Sequence, residues 1–415
     1  MITQELIITI LLILLGAWFL GSVFARFGLP FLLGELLAGI ILGPPLLGLV
    51  VPSETLEFMA ELGIFFVMFY TGMELDPKEL LEHIWHALSV AIGGFILPFA
   101  LGYFITRFFD GTVYQSLFVG MGVSITAIAV QAVILHSMRI SRTAVGHIII
   151  GAAIADDILS LIAFSILLGL ARSGTVQFAD MFVILLKVVG FFAATIVLGQ
   201  FVLPRFTGKL HDREGKAFTF AITAALILAY FAELAGLHFI IGAFLAGQFV
   251  RKEIMDERIY NRIIDRFFGL SYGFLLPIFF VSLSFHLHFS WNWTYIMFTM
   301  ALILVATVGK LVGCGLGAAV FKRNFWESSI IGLGMNGRGA VELVVASVVI
   351  KLSNDLMTSG VIQEPLLTQT QFSALIVMAF VTTLLAPITL RWAIVRTCRP
   401  NEKASFCQLW DEQTR

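Results

Sequence analysis

Two adjacent aspartates, Asp156 and Asp157, lie in the middle of an apolar run, His147-IIIGAAIADDILSLIAFSILLGL, with no other charged residue between His147 and Arg172. An ionised carboxylate at membrane depth costs at least about 2.5 kcal/mol even on lenient insertion scales, so an intramembrane pair reads as a functional site by default. Two like charges side by side, in surroundings that solvate neither, demand compensation by a proton, a small cation or a fixed positive charge. Residues one apart on a helix diverge by about 100°, so the two cannot face the same partner. One can line a cavity while the other points into protein. A monovalent cation such as Na⁺ needs oxygen ligands in place of its water. If Asp157 is the one that lines the cavity, the hydroxyls of Thr126 and Ser124 can stand beside it as ligands for Na⁺. The other aspartate, Asp156, is then available to a lysine, and Lys310 in ATVGKLVGCGLGA is the candidate. That pair either opens when a cation or proton arrives or is a permanent structural contact. A second deep cation, Arg338 in GLGMNGRGAVELVVA, has Glu342 one turn away on the same helical face, and the spacing predicts a structural ion pair between them.

These residues need a membrane around them. The chain has 415 residues, 59% hydrophobic and only 13% charged, with a net charge of -1, which marks an all-α polytopic membrane protein. The charges fall between apolar segments, and nothing in their pattern points to nucleic acid. Cys314, Cys398 and Cys407 offer neither metal-ligand nor disulfide spacing. Glu35, Glu233, Glu74 and Asp76, together with His136, His147, His238, His286 and His288, fall near span edges and read as solvated ends without a transport role. No cofactor is implied. The N-terminal stretch lacks a basic n-region and a small-residue cleavage site, so it reads as a first span rather than a signal peptide.

Apolar windows of about 20 residues predict thirteen spans, approximately 4–25, 31–50, 56–74, 86–108, 113–136, 143–171, 178–204, 217–234, 237–251, 264–285, 292–321, 326–350 and 369–396. With the N-terminus outside and the C-terminus cytoplasmic, 20 Lys and Arg fall in cytoplasmic connections and 3 in outer ones, a strong orientation signal. Lys187, near an end of span seven, reads as a snorkelling residue.

The spans repeat. Gly34-ELLAGIILG in span two is echoed by Gly242-AFLAGQFVR in span nine. Likewise Gly63-IFFVMFYTGMELD in span three is echoed by Pro277-IFFVSLSFHLHF in span ten. Seven spans separate the copies, so they cross the membrane in opposite directions, as in the inverted repeats of secondary transporters. By the same offset span five pairs with span twelve. Gly120, Gly122, Ser124 and Thr126 in the one, and Gly332, Gly334, Gly337 and Gly339 around Asn336 in the other, predict that both helices unwind at mid-span.

With these residues placed, the chain resembles the monovalent cation:proton antiporters of the second family, bacterial Na⁺/H⁺ antiporters in particular. LPFLLGELLAGIILGPPLLG, AELGIFFVMFYTGMELD, GAAIADDILSL, IIGAFLAGQFV, LLPIFFVSLSF, VGKLVGCGLGA and GMNGRGAVELVVAS stand in family order from about Leu29 to Arg391. The resemblance implies two crossing unwound helices, spans five and twelve, in a core domain that moves elevator-fashion against a dimerisation domain. On that scheme 1–80 and 217–285 are scaffold, 86–171 and 292–396 are ion-binding core, 178–206 is a linker helix and 397–415 a short cytoplasmic tail. It implies Asp157 as carrier of cation and proton, Asp156 paired with Lys310, Thr126 lining the site, and electrogenic exchange, because members with this lysine move more protons than cations. Further implications are Na⁺ or Li⁺ as the cation, a homodimer, and a home in the bacterial inner membrane. K⁺/H⁺ exchange is the alternative, although the tail is too short for the nucleotide-binding module of gated potassium efflux relatives. A sodium-coupled organic-solute carrier of similar fold is a further one. Two departures stand out: Asn336-Gly-Arg-Gly-Ala replaces a common Pro-Arg-Gly-Glu run, and span ten has Val-Ser-Leu-Ser where a glycine commonly follows.

Overall fold

The computed structural model describes residues 4–27, 31–75, 77–173, 178–198, 216–250, 257–286, 292–321, 325–358, 362 and 364–397. All regular structure among them is helical. The chain begins with α1 (Gln4–Arg26), α2 (Phe31–Leu42), α3 (Glu54–Glu74), the short α4 (Pro77–Glu82) and α5 (Ile84–Phe108). Next come α6 (Val113–Ser124), α7 (Ile128–Ser137), α8 (Ala144–Ser173), α9 (Phe178–Val197), α10 (Lys216–Leu234), α11 (Phe239–Gly247) and α12 (Glu257–Leu270). The last group is α13 (Leu276–Ser282), α14 (Trp293–Ala319), α15 (Phe325–Gly334), α16 (Ala340–Thr358) and α17 (Gln369–Thr397). Eight helical segments are long and apolar enough to cross a membrane, and shorter or interrupted helices stand where the other five spans were expected. The expected tail, from 398 onward, lies outside the described residues.

The outer helices show what solvent they meet. Only Ile13, Ala17 and Gly21 of α1 are buried, one stripe at a spacing of four, while Ile7, Leu11, Leu15 and Trp18 are exposed. An apolar exposed face on so long a helix fits lipid. Inside, glycines bring backbones together. Gly34 of α2 leaves no room for a side chain against Gly21 of α1, and Gly242 of α11 leaves none against Leu228 of α10. Five residues on in each, Gly39 abuts Val281 of α13 and Gly247 abuts Phe69 of α3. The two motifs that read as copies thus make corresponding contacts.

Span ten is one helix with a local defect. Pro277 has no N–H and its ring crowds the carbonyl four residues back, and the wider π turn Ser271–Leu275 falls at that place, joining α12 to α13. Helices α5 and α14 pack with Gly93 and Gly313 each against the other's carbonyl and with Gly309 against Pro98. Helix α8 lies alongside them, with Gly151 against Ala87 of α5, and reaches α15 through Ile149. This places the middle of α8, which carries the aspartates, between α5, α14 and the two interrupted spans.

Candidate functional site

Helix α8 runs unbroken through both aspartates, so their side chains diverge as helical spacing requires. Asp156 is fully buried, and its Oδ2 lies 3.4 Å from Nζ of Lys310, which is also fully buried. The lysine comes from α14, beside the close approach to α5. Its stem runs past Gly94, where an added Cβ would lie 3.8 Å from Lys310 Cδ. Asp157, one residue on, is more open, and neither of its oxygens has a hydrogen-bond partner. The pair therefore divides: one carboxylate pairs directly with a fixed charge, and the other has no hydrogen-bond partner among the described residues. Among the described residues no three His, Cys, Asp or Glu side chains converge in a way that could hold a metal, so an ion here would rest on carboxylate and neutral oxygens.

Both glycine-rich spans are broken where expected. Between α6 and α7 the chain is non-helical at Ile125, Thr126 and Ala127, and between α15 and α16 it is non-helical from Asn336 to Gly339. The breaks meet. Ala127 N–H donates to the Gly337 carbonyl at 3.2 Å, and Gln131 Nε2 donates to the same carbonyl at 3.0 Å. Breaking a helix strands carbonyls that no intrahelical N–H reaches, and in lipid each would be costly. Here Arg338 answers them. Its guanidinium donates to the carbonyls of Gly122 and Ile125, both at 3.0 Å, and to that of Val123. Thr383 of α17 fixes the Arg338 backbone, accepting from its N–H at 2.9 Å and donating to its carbonyl at 2.7 Å. The side chain of Glu342, the expected ion-pair partner, lies outside the described residues.

The hydroxyls behave differently from each other. Ser124 donates to the Met121 carbonyl at 2.7 Å, a bond within its own helix end. Thr126 stands beside Asp156 rather than Asp157. Its hydroxyl falls short of hydrogen-bond geometry, and one oxygen of Asp156 and both side-chain polar atoms of Asn336 also have no hydrogen-bond partner. Burying an unsatisfied polar group costs about 1–3 kcal/mol each, so such groups on both breaks and on Asp156 call for an occupant to answer them.

Other expectations need correcting. Glu35 is buried rather than solvated, because α2 is clamped between α1 and α13. His147 is also buried: it sits in the first turn of α8, and the Ile140–Ser141 backbone packs against Gly146 beside it. Glu233 is exposed, and so is Lys187 on α9. His286 and His288 have no described side chains. Glu74, expected only to close span three without a transport role, is held by His136 Nδ1 at 3.1 Å and by the Arg142 guanidinium at 3.2 Å. Three aromatic rings, Tyr70, Phe268 and Tyr272, surround that histidine. Sequence held no signal for this cluster, because Glu74 stands 62 positions from the histidine that it meets.

Comparison with known proteins places this geometry. Residues 10–396 match the family described as "Sodium/hydrogen exchanger, transmembrane". The chain is 32% identical over 395 residues to the Na(+)/H(+)-K(+) antiporter GerN of Bacillus cereus, covering 94% of this chain and 96% of that one. It is 28% identical to the Na(+)/H(+) antiporter of Enterococcus hirae, covering 93% and 97%. Among solved structures, the sodium proton antiporter MjNhaP1 from Methanocaldococcus jannaschii has the same fold, with a TM-score of 0.71 at 19% identity, covering 92% of this chain and 94% of that one.

Proposed function

The chain belongs to the sodium/hydrogen exchanger family and is an integral membrane transporter rather than an enzyme, and we propose that it exchanges Na⁺ or Li⁺ for H⁺ at Asp157. The observation that carries this is the unequal treatment of two neighbouring carboxylates: Asp156 faces Lys310 at 3.4 Å, whereas Asp157 has neither oxygen bonded. An unanswered carboxylate in a buried setting takes either a proton or a small cation, and a single group that binds one at a time obliges the two to alternate.

In this scheme the cation rests on Asp157 with Asp156 nearby and neutral oxygens completing its shell. Thr126 and the carbonyls of the two breaks are the candidates, while Ser124 shapes the helix end. Proton uptake at Asp157 releases the cation. Lys310 adds a second exchangeable charge: when the cation binds, Asp156 is drawn toward it and the ammonium loses its counter-charge and its proton. Two protons then return for each cation, and exchange is electrogenic. Arg338 has a fixed role, holding the end of α6 open. The corresponding contacts of the Gly34 and Gly242 motifs favour an inverted repeat, and the distribution of Lys and Arg favours thirteen spans with an outside N-terminus and a cytoplasmic C-terminus. Residues 86–171 and 292–396 would then carry the ions past a scaffold formed by 1–80 and 217–285, in an elevator motion and within a homodimer of the bacterial inner membrane.

The test uses inside-out vesicles acidified by respiration. Adding Na⁺ or Li⁺ dequenches a pH-sensitive dye, and Asp157→Asn abolishes the response while the protein remains at wild-type level in the membrane. An Asp157→Asn protein that still dequenches rejects the assignment. K⁺ is the second reading, favoured by the name of the Bacillus cereus relative, and the same assay with K⁺ alone decides it.

A further inference from the structure

Asn336 is 1% exposed, and neither its side-chain oxygen nor its side-chain nitrogen has a hydrogen-bond partner. A carboxamide offers two N–H donors and a carbonyl with two lone pairs, and leaving all of them empty in a protein interior is unfavourable. The local backbone does not need the side chain. The Asn336 N–H is bonded to the Leu333 carbonyl at 3.3 Å, and its Oδ1 accepts from no backbone N–H, so the residue is not acting as a helix cap. Nor does the position demand a polar residue by exposure, because solvent and lipid scarcely reach it.

Its surroundings show what the amide is for. Two residues before it, Gly334 packs against Ile149 of α8. One residue after it, Gly337 packs against Val130 and Gln131 of α7, and its carbonyl receives the Ala127 N–H and the Gln131 side chain. Asn336 is therefore placed where the second break is wedged between α7 and α8. On the far side of the Ala127 to Gly337 bond comes Thr126, which is fully buried and whose hydroxyl is also unpartnered. Each break thus brings one buried, unanswered oxygen donor next to the peptide that joins it to the other break.

We propose that Asn336 is a ligand of the transported cation, giving its Oδ1 directly or through one water, and that it helps set the preference among monovalent cations. This rests on the reading of Asp157 as the carrier and adds a neutral ligand from the second repeat. A neutral amide oxygen contributes to the shell without adding a negative charge, so the site holds a cation weakly enough to release it when the proton arrives. Its NH₂ group is free to donate to a carboxylate once the cation has left.

Replacement by leucine, similar in volume and apolar, separates this from an idle buried polar group. An idle amide would be improved by Asn336→Leu, since removing an unsatisfied group of the same shape is neutral or stabilising. The expected result is a rise of about 10- to 100-fold in apparent KM for Na⁺, the size of losing one bond to a charged group, with maximal rate at saturating Na⁺ within about threefold of wild type. The Na⁺-dependent rise in melting temperature of the purified protein should shrink in parallel. Asn336→Asp keeps the oxygen, adds charge and should alter the Na⁺ to K⁺ ratio of apparent KM; Asn336→Ala provides a second loss-of-ligand variant where leucine impairs folding. Unchanged apparent KM for Na⁺, Li⁺ and K⁺ in all three overturns the proposal. A wild-type protein that exchanges normally while Asp157→Asn is dead keeps the underlying reading intact in that event. A wild-type protein that exchanges no monovalent cation removes both.

Discussion

Asp156 and Asp157 are the same residue type on one helix, yet their partners make them chemically different. A fully buried ion pair such as Lys310 with Asp156 contributes little by itself, but breaking it leaves one buried charge uncompensated, at about 3–5 kcal/mol. Lys310→Gln should therefore lower the melting temperature clearly, while Asp156→Asn combined with Lys310→Gln should recover part of the loss. A thermal-shift comparison of the four proteins checks this, and equal effects in the single and double variants would count against a direct pair. The same Lys310→Gln protein should exchange with little response to an imposed membrane potential. Competition between proton and cation at one carboxylate has a further consequence. Apparent KM for Na⁺ should rise as pH falls, with maximal rate much less affected, and vesicle rates at several pH values across a Na⁺ series would read it. At this scale much was legible in advance: a charged pair in an apolar run and a lone lysine in another are visible in the letters. Which oxygen Thr126 would serve was not, because that depends on how the α6 to α7 break turns relative to α8.

The elements that hold these residues are two broken spans and two closely packed helices. The breaks were readable from the clustering of glycine and hydroxyl residues, since such stretches gain little from staying helical and can let other groups approach. The function of Arg338 was not readable. Its visible bonds go to the carbonyls of Gly122, Val123 and Ile125, and backbone acceptors leave no trace in sequence. Arg338→Lys keeps the charge but loses the planar fork that reaches several carbonyls together. It should fold less stably and exchange at least tenfold more slowly, whereas a neighbour outside the breaks should tolerate the same change. Fractionation of detergent-solubilised protein and vesicle flux together decide whether structure, rate or both are lost. At the α5 to α14 contact, Gly313→Val forces side-chain atoms against the Gly93 carbonyl. Overpacking of this kind costs about 1–3 kcal/mol, and because Lys310 rides on α14 it should also disturb the ion pair. A fully stable, fully active Gly313→Val protein would contradict the tight contact.

Across the whole molecule, the Gly34 and Gly242 motifs make corresponding close backbone contacts, and the two breaks meet each other at Ala127 and Gly337. The similar letters of the two motifs made these contacts legible, because both motifs place glycines where another backbone approaches closely. No such likeness reveals the cluster of Glu74, His136 and Arg142, which joins the end of α3 to the end of α7 and the turn before α8. On the proposed division of the chain this cluster links scaffold to core and must open whenever one slides against the other. Glu74→Gln should then change exchange rate without changing apparent KM for Na⁺. A changed KM with unchanged rate would assign Glu74 to the ion site instead. The central claim, that one buried carboxylate takes proton and cation in turn, is tested most directly by calorimetric titration of Na⁺ into purified protein in buffers of different protonation enthalpy. Wild-type protein should bind Na⁺ and release protons on binding, and Asp157→Asn should do neither. Na⁺ binding with unaltered proton release in Asp157→Asn would contradict the account.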